Sequence, residues 1–201
     1  MGPLLLATRN EHKLRELAEA MQGVELEPLP EEVELPPEVG ETFEQNARLK
    51  ARAAQAATGR AAIADDSGIE AAALGGGPGV RSARYAGEDA DDEHNLAKLL
   101  AEVEGSGDRR VAYVCVLAYL DGEGRETVFE GRCEGMLAER PRGSGGFGYD
   151  PAFVPDDTGP EDARTMAELE PAEKHAISHR GRAARALAEH LAARVGDRSA
   201  E

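Results

Sequence analysis

The segment Val111 to Leu120 (VAYVCVLAYL) is apolar at odd and even positions alike. Successive side chains of a strand point to opposite faces, so this run needs cover on both sides and reads as a central strand of a sheet. A turn, Asp121-Gly122-Glu123-Gly124, follows it. A longer, half-polar run from Thr127 to Leu137 then returns beside it as a hairpin. Helical segments are interspersed with strands along the rest of the chain. The expectation is an α/β fold: a mixed β-sheet flanked by helices rather than a purely parallel one.

The opening reads strand, turn, helix. Leu4 to Leu6 suits a short buried strand. Asn10 is a good N-cap for a helix carrying Leu14, Leu17, Ala18 and Met21, with Gly23 as its stop. Val24 to Leu29 is a second strand, followed by a loop rich in Pro and Glu through Gly40. Thr42 and Gln45 form a capping box for a helix from Phe43 to about Thr58, which Gly59 ends. Arg60 to Ala64 reads as a short strand that stops at Asp65-Asp66-Ser67-Gly68. A glycine loop (Gly75 to Gly79), a helix from about Asp91 to Val103, a glycine-dense segment (Gly143 to Asp150) and a strand at Ala152 to Val154 follow. One last helix spans about Ser178 to Val195, with Ala184, Leu187, Ala188, Leu191 and Val195 inward. No repeat or linker divides the chain, so residues 1–196 read as a single domain and 197–201 as a frayed tail.

Composition narrows the partners. The 201 residues carry 39 Asp+Glu against 23 Lys+Arg, a formal net charge of −16. A field of that sign repels nucleic acid and anionic membrane surfaces, though a small phosphorylated ligand can still be met by local cations and a metal. Cys115 and Cys133 stand in no zinc-binding spacing and read as free thiols of a reducing compartment. No apolar run approaches the ~20 residues of a membrane helix, and Leu4 to Leu6 is too short for a signal-peptide core. The expectation is a soluble, cytoplasmic protein.

Four segments could carry chemistry. Thr8-Arg9-Asn10-Glu11-His12-Lys13 opens a helix, where unpaired N–H groups and about half a positive charge suit an anion. An Asn cap followed by a solvated Lys would explain the same residues. Lys13 is nevertheless one of only four lysines beside 19 arginines, which points to a use for a compact ammonium. Asp65 and Asp66 end an apolar run, and two adjacent carboxylates there repel each other, a cost that a hard divalent cation would relieve. An ordinary acidic turn is the competing reading. Glu41, at a helix start, is a further candidate metal ligand, or simply a carboxylate favoured by the helix dipole. In Gly143 to Asp150, Phe147 and Tyr149 are two of only eight Phe and Tyr residues; an aromatic ring can stack on a planar base or plug the core. Lys174 with Ser178-His179-Arg180 offers donors for a base edge or phosphate, or a capped helix with surface cations.

Taken together these segments resemble the inosine triphosphate pyrophosphatase family. The matching pieces are Ala7-Thr8-Arg9-Asn10 with Lys13; Glu41-Thr42-Phe43 with Asn46; Ile63-Ala64-Asp65-Asp66-Ser67-Gly68; Leu74-Gly75-Gly76 with Pro78-Gly79; Ser82-Ala83-Arg84-Tyr85; Gly145 to Pro151; and Lys174 with Ile177-Ser178-His179-Arg180. The resemblance implies an elongated mixed sheet with two lobes around a central cleft, a homodimer, and a Mg²⁺-dependent hydrolase. It implies cleavage of ITP, dITP and XTP to the monophosphate and pyrophosphate. By match of position, Thr8, Arg9, Asn10, Glu11, His12 and Lys13 would hold the phosphates. Asp66 would accept a proton and bind the metal, with Glu41 as second ligand, and Ser67 would touch substrate. Phe147, Gly148, Tyr149, Asp150, Lys174, His179 and Arg180 would hold the base. Position 45 is Gln where many relatives carry Glu. A Maf-type pyrophosphatase with different base specificity and a non-catalytic nucleotide sensor are the alternative functions.

Overall fold

The structure, a computed structural model, describes residues 2–198, with side chains through residue 194. Its elements are β1 (Leu4–Leu6), α1 (Glu11–Ala20), β2 (Leu26–Pro28), α2 (Phe43–Thr58), β3 (Ala62–Ala71), α3 (Asp92–Val103), β4 (Arg110–Leu120), β5 (Glu126–Leu137), β6 (Phe153–Pro155), α4 (Pro171–Ile177) and α5 (His179–Arg198). Six strands form one sheet in the order β2-β1-β3-β4-β5-β6. Strand β1 is parallel to both β2 and β3, and β6 is antiparallel to β5. The mixed α/β sheet expected from the sequence is therefore the one observed. Among the described residues no helix is long and apolar enough to cross a membrane.

The described residues divide into two compact units: residues 2–66, 115–131 and 180–198, and residues 67–114 and 132–179. In the first, Leu4 and Leu6 of β1 share a core with Ile63 of β3 and with Cys115, Leu117 and Tyr119 of β4. Leu17 and Met21 of α1, and Ala183, Ala184, Leu187 and Leu191 of α5, close that core. In the second, Ile69 and Ala71 of β3 pack with Val111 and Tyr113 of β4, Leu96, Leu99 and Val103 of α3, and Phe153 of β6. Val111 through Leu120 are all buried, as the two-sided apolar pattern requires. Both cysteines are buried free thiols.

Caps set the helix ends. Asn10 caps α1, Thr42 accepts from the Gln45 N–H to cap α2, and Gly59 ends α2 in the left-handed conformation (φ 66°). Four expectations need correction. Helix α1 stops at Met21, so Gly23 lies in the turn beyond rather than at the cap. Strand β2 is shorter than the apolar run Val24 to Leu29. Strand β3 does not stop at Ala64 but runs straight through Asp65-Asp66-Ser67-Gly68 to Ala71. The reason is neutralisation of the two carboxylates, described below. Gly68 is needed there for close approach: a Cβ on it would lie 2.4 Å from Ser82 Oγ and 2.6 Å from the Gly79 carbonyl. Finally, the terminal helical region is two helices. Pro171 and a capping box of Glu170 with Glu173 start α4, and Ser178 in an extended conformation separates it from α5. Glu170 is not among the strong N-cap residues, which hid that start. Helix α5 is bounded at Arg198, so the tail expected over 197–201 falls largely outside the described residues, as does the side chain of Val195.

The β4–β5 turn hangs on one side chain. Asp121 accepts the N–H groups of Glu123 and Arg125, at 2.9 and 3.0 Å, and the guanidinium groups of Arg125 and Arg194, at 2.9 and 2.8 Å. Burial opposes its ionisation, but these donors outweigh burial and hold the carboxyl well below the usual carboxylate range. A depressed carboxyl contributes stability at neutral pH that is lost as pH falls below the ordinary carboxylate value. Asp121→Asn is therefore expected to cost about 1–3 kcal/mol at pH 7. The difference from the unsubstituted protein should shrink on acidification, and denaturant unfolding at pH 7 and pH 3 measures both.

Candidate active site

Asp65 and Asp66 are consecutive on β3, so the pleat sends their carboxylates to opposite faces of the sheet. Both are buried, at 0% and 4% exposure. On one face Lys13 Nζ lies 2.8 Å from Asp65, with Arg180 Nη2 at 3.9 Å. Helix α1 presents Lys13 because Asn10 caps it, its Oδ1 accepting the N–H groups of His12 and Lys13 at 3.0 and 3.1 Å. Arg180, in the first turn of α5, is ion-paired with Glu16 of α1. Signs thus alternate along Glu16, Arg180, Asp65 and Lys13. Burial would raise the Asp65 carboxyl, but Lys13, Arg180 and Lys50 overcome it and hold the group well below the usual range.

The other face is α2's. Asn46 Nδ2 donates to Asp66 Oδ2 at 2.9 Å, and Lys50 Nζ lies 3.8 Å from Oδ1. Asn46 and Lys50 are four residues apart and share a helix face. Lys50 also donates to Glu38 at 2.6 Å. Burial pushes Asp66 up, the Glu38 charge pushes the same way, and Lys50 and Lys13 offset only part, leaving the carboxyl at about 6. Two neighbouring residues of one type are thereby driven apart: Asp65 is locked as an anion, and Asp66 is poised to exchange a proton near neutrality.

Several residues of the expected phosphate segment are placed by local duties. Thr8 is buried, and its Oγ1 accepts the Asn10 N–H at 3.2 Å. The Arg9 guanidinium donates to the carbonyls of Leu29, Pro30, Glu31 and Val33, so its fork braces the loop after β2 and is not open to a phosphate. Glu11 and His12 are exposed on the first turn of α1. Glu41 is exposed as well, and its N–H donates to Gln45 Oε1 at 2.7 Å; Gln45 therefore reaches past the N-cap Thr42, and the expected capping box is only half formed. The carboxylate that the structure ties to Asp66, through the shared Lys50, is Glu38. Nothing in its loop distinguishes Glu38 by sequence. Lys50 carried a signal, as another of the four lysines.

The second unit gathers the remaining candidates around Asp150. Its Oδ2 accepts Lys174 Nζ at 2.7 Å and the Phe147 N–H at 2.9 Å, and its Oδ1 accepts the Tyr113 hydroxyl at 3.0 Å. With three donors and 4% exposure, Asp150 is a hub that fixes its neighbours. Gly146 has to be glycine there: φ is +72°, and a Cβ would fall 2.0 Å from Asp150 Oδ2. Lys174 Nζ lies 5.3 Å from the centre of the Phe147 ring. His179 stacks on Tyr113 with ring centres 4.7 Å apart. Gly148 N–H is fixed by Asp92 at 2.7 Å. Tyr149 departs from expectation: it is a core residue, and its hydroxyl donates to the Ser82 carbonyl at 2.7 Å. Ser67 follows Asp66 on β3 and is half-buried. Phe147 and Gly148 also line a cavity of about 1020 Å³ whose other wall is α3.

Comparison with known proteins agrees with the motif set. The Ham1 family model matches residues 4–190, nearly the whole chain. The chain belongs to the Ham1 family. A dITP/XTP pyrophosphatase of Mycolicibacterium paratuberculosis is 50% identical over 196 residues, covering 93% of this chain and 94% of that one. Among solved structures of this Ham1 type, a HAM1 protein from Coxiella burnetii is 41% identical with a TM-score of 0.85, covering 96% of this chain and 99% of that one. A nucleoside-triphosphatase / dITP/XTP pyrophosphatase from Mycobacterium abscessus is 47% identical with a TM-score of 0.74, covering 92% and 98%.

The Asp65 network gives a direct test. Lys13→Met strands a fully buried carboxylate and is expected to lower stability by about 3 kcal/mol. Adding Asp65→Leu removes the stranded charge and should recover most of that loss. Thermal or denaturant unfolding of both single variants and the double variant measures it, and a loss in the double variant equal to the sum of the two single losses would mean that the pair is not coupled.

Proposed function

We propose that the chain is a nucleoside triphosphate pyrophosphatase acting on deaminated purine nucleotides: ITP, dITP and XTP. The observation that carries this reading is the split environment of Asp65 and Asp66 on one strand of a Ham1-family chain, the first ion-paired with Lys13 and facing Arg180, the second held by the Asn46 amide with Lys50 at 3.8 Å. A general base is most effective when its pKa lies near the working pH. Asp66 takes the proton of a water whose oxygen attacks the α phosphorus. The new O–P bond forms as the bond to the β-phosphate oxygen breaks, and pyrophosphate leaves. Lys13 and Lys50 supply ammonium donors for the phosphate oxygens, and the N-terminus of α1 adds its dipole.

A hard cation fits this donor set. The first unit's cluster holds three cations, Lys13, Lys50 and Arg180, against four carboxylates, Glu16, Glu38, Asp65 and Asp66. It therefore has no surplus positive charge with which to meet a triphosphate. Among the described residues no group of three or more His, Cys, Asp or Glu side chains is placed to hold a metal ion. Mg²⁺ suits that situation, since it takes one or two carboxylates and completes its shell from water and phosphate. Asp66 with Glu38 would hold it, in preference to the exposed Glu41, and the ion would supply charge neutralisation on the phosphate oxygens.

The second unit's residues suit the base. Phe147 offers a ring for stacking. Lys174, anchored on Asp150, brings an ammonium donor that suits a 6-oxo group and that a 6-amino group cannot accept from in the same way. The family resemblance supports a homodimer, and the two buried thiols agree with a reducing cytoplasm; light scattering at micromolar concentration tests the dimer.

The experiment is a panel of purine and pyrimidine triphosphates with Mg²⁺ and pyrophosphate detection. ITP, dITP and XTP should give monophosphate and pyrophosphate far faster than ATP or GTP. IDP with inorganic phosphate, or a preference for pyrimidines, would overturn the assignment. Asp66→Asn should lower turnover by about 10²–10⁴-fold while nucleotide binding persists. Unchanged turnover would remove Asp66 from the chemistry.

A further inference from the structure

We propose that Tyr113 is a positioning residue for base discrimination, acting through Asp150 and His179. The inference rests on the reading above that the second unit's residues receive the base. Tyr113 belongs to none of the motifs and sits in the middle of β4, 7% exposed, where its ring would pass for ordinary core. Its surroundings say otherwise. One face stacks on Phe153, with ring centres 4.4 Å apart and planes 19° from parallel. His179 stacks on Tyr113 at 4.7 Å and 16°. The hydroxyl donates to Asp150 Oδ1 at 3.0 Å. One side chain therefore fixes the plane of His179 and satisfies the carboxylate that anchors Lys174 and the Phe147 backbone.

The hydroxyl matters because of how Asp150 divides its lone pairs. Tyr113 takes Oδ1, so Lys174 and the Phe147 N–H share Oδ2. Without the hydroxyl, Oδ1 is left buried with one donor fewer. Of the two remaining donors, the Phe147 N–H belongs to the backbone and Lys174 carries the charge on a flexible stem, so the electrostatic demand of that oxygen acts chiefly on the ammonium. An ammonium drawn further onto Asp150 is a poorer donor to a 6-oxo group. It also shifts relative to the Phe147 ring on which a base would stack. The loss falls on ligands that use Lys174, so it reads as lost discrimination rather than uniformly weaker binding.

The test uses the full chain and the variant Tyr113→Phe, which keeps both ring stacks and removes only the hydroxyl. Binding of IMP and AMP by calorimetry reports base preference without requiring turnover. The protein should prefer IMP, and the variant should narrow the IMP/AMP ratio by roughly tenfold, the scale of one hydrogen bond to a charged group. In ITP hydrolysis KM should rise while kcat changes little, because the attacking water is handled by Asp66. A folded variant with an unchanged IMP/AMP ratio, or one that weakens both nucleotides equally, overturns the proposal. So does an unsubstituted protein with no preference for IMP. In the double variant with Asp150→Asn, the tyrosine substitution should add little further change to the ratio, and full additivity would also count against it. If the unsubstituted protein prefers IMP yet turns over no triphosphate, the pyrophosphatase reading fails while the ratio still decides the role of Tyr113.

Discussion

Two carboxylates in succession on a buried strand are a constraint that the rest of this chain is organised to satisfy. Neither can be left uncompensated, because an ionised carboxylate in a low-dielectric interior is costly unless paired. The pleat keeps any one side chain from contacting both, although Lys13 and Lys50 each act on the two carboxylates at longer range. Each face of β3 has therefore needed its own cations: Lys13 and Arg180, from α1 and α5, on the Asp65 side, and Lys50 with the Asn46 amide, both from α2, on the Asp66 side. The packing of three helices is tied to those contacts as firmly as to their apolar stripes.

The compensation is unequal, and the inequality is where the chemistry lies. Asp65 receives two cations with opposed partners, since Arg180 is itself balanced by Glu16. The ammonium nearest Asp66, that of Lys50, is 3.8 Å away and shared with the closer Glu38. A carboxyl held by an amide and a divided charge keeps a proton affinity near neutral pH, whereas its neighbour does not. The same residue type one position away thus performs a structural duty, and the difference comes from what each face of the sheet presents.

This explains which parts of the molecule were legible in the sequence. The doubly apolar run of β4, the caps at Asn10 and Thr42 and the stop at Gly59 are local signals, and each stands where the sequence places it. The extent of β3 was not legible, because Asp-Asp-Ser-Gly is a turn composition until distant cations neutralise it. Helix α4 was missed because its cap is a glutamate. Among the site residues, Lys13, Asp66 and Lys174 could be singled out because lysine is rare here and adjacent carboxylates are conspicuous. Glu38, Glu16 and Tyr113 acquire meaning only through partners between 12 and 164 positions away. The expected contacts of Arg9 and Tyr149 gave way to backbone carbonyls for the same reason: a guanidinium or phenol beside an unpaired carbonyl is claimed locally first.

The scarcity of lysine connects the two units' chemistry. Lys13, Lys50 and Lys174 have side chains only 15%, 7% and 10% exposed and each meets a buried carboxylate, while Lys98 lies on the surface beside Glu102. A guanidinium would satisfy such carboxylates with two parallel hydrogen bonds and spend its planar fork in doing so. An ammonium carries three donors around one compact charge and can divide them among several acceptors, as Lys50 does between Glu38 and Asp66. A chain that uses arginine almost everywhere for surface pairs, yet retains lysine at buried anchors, places that divisible charge at just those points. Compact, divisible charge is what a ligand rich in phosphate and carbonyl oxygens requires of a protein whose overall charge would otherwise repel it.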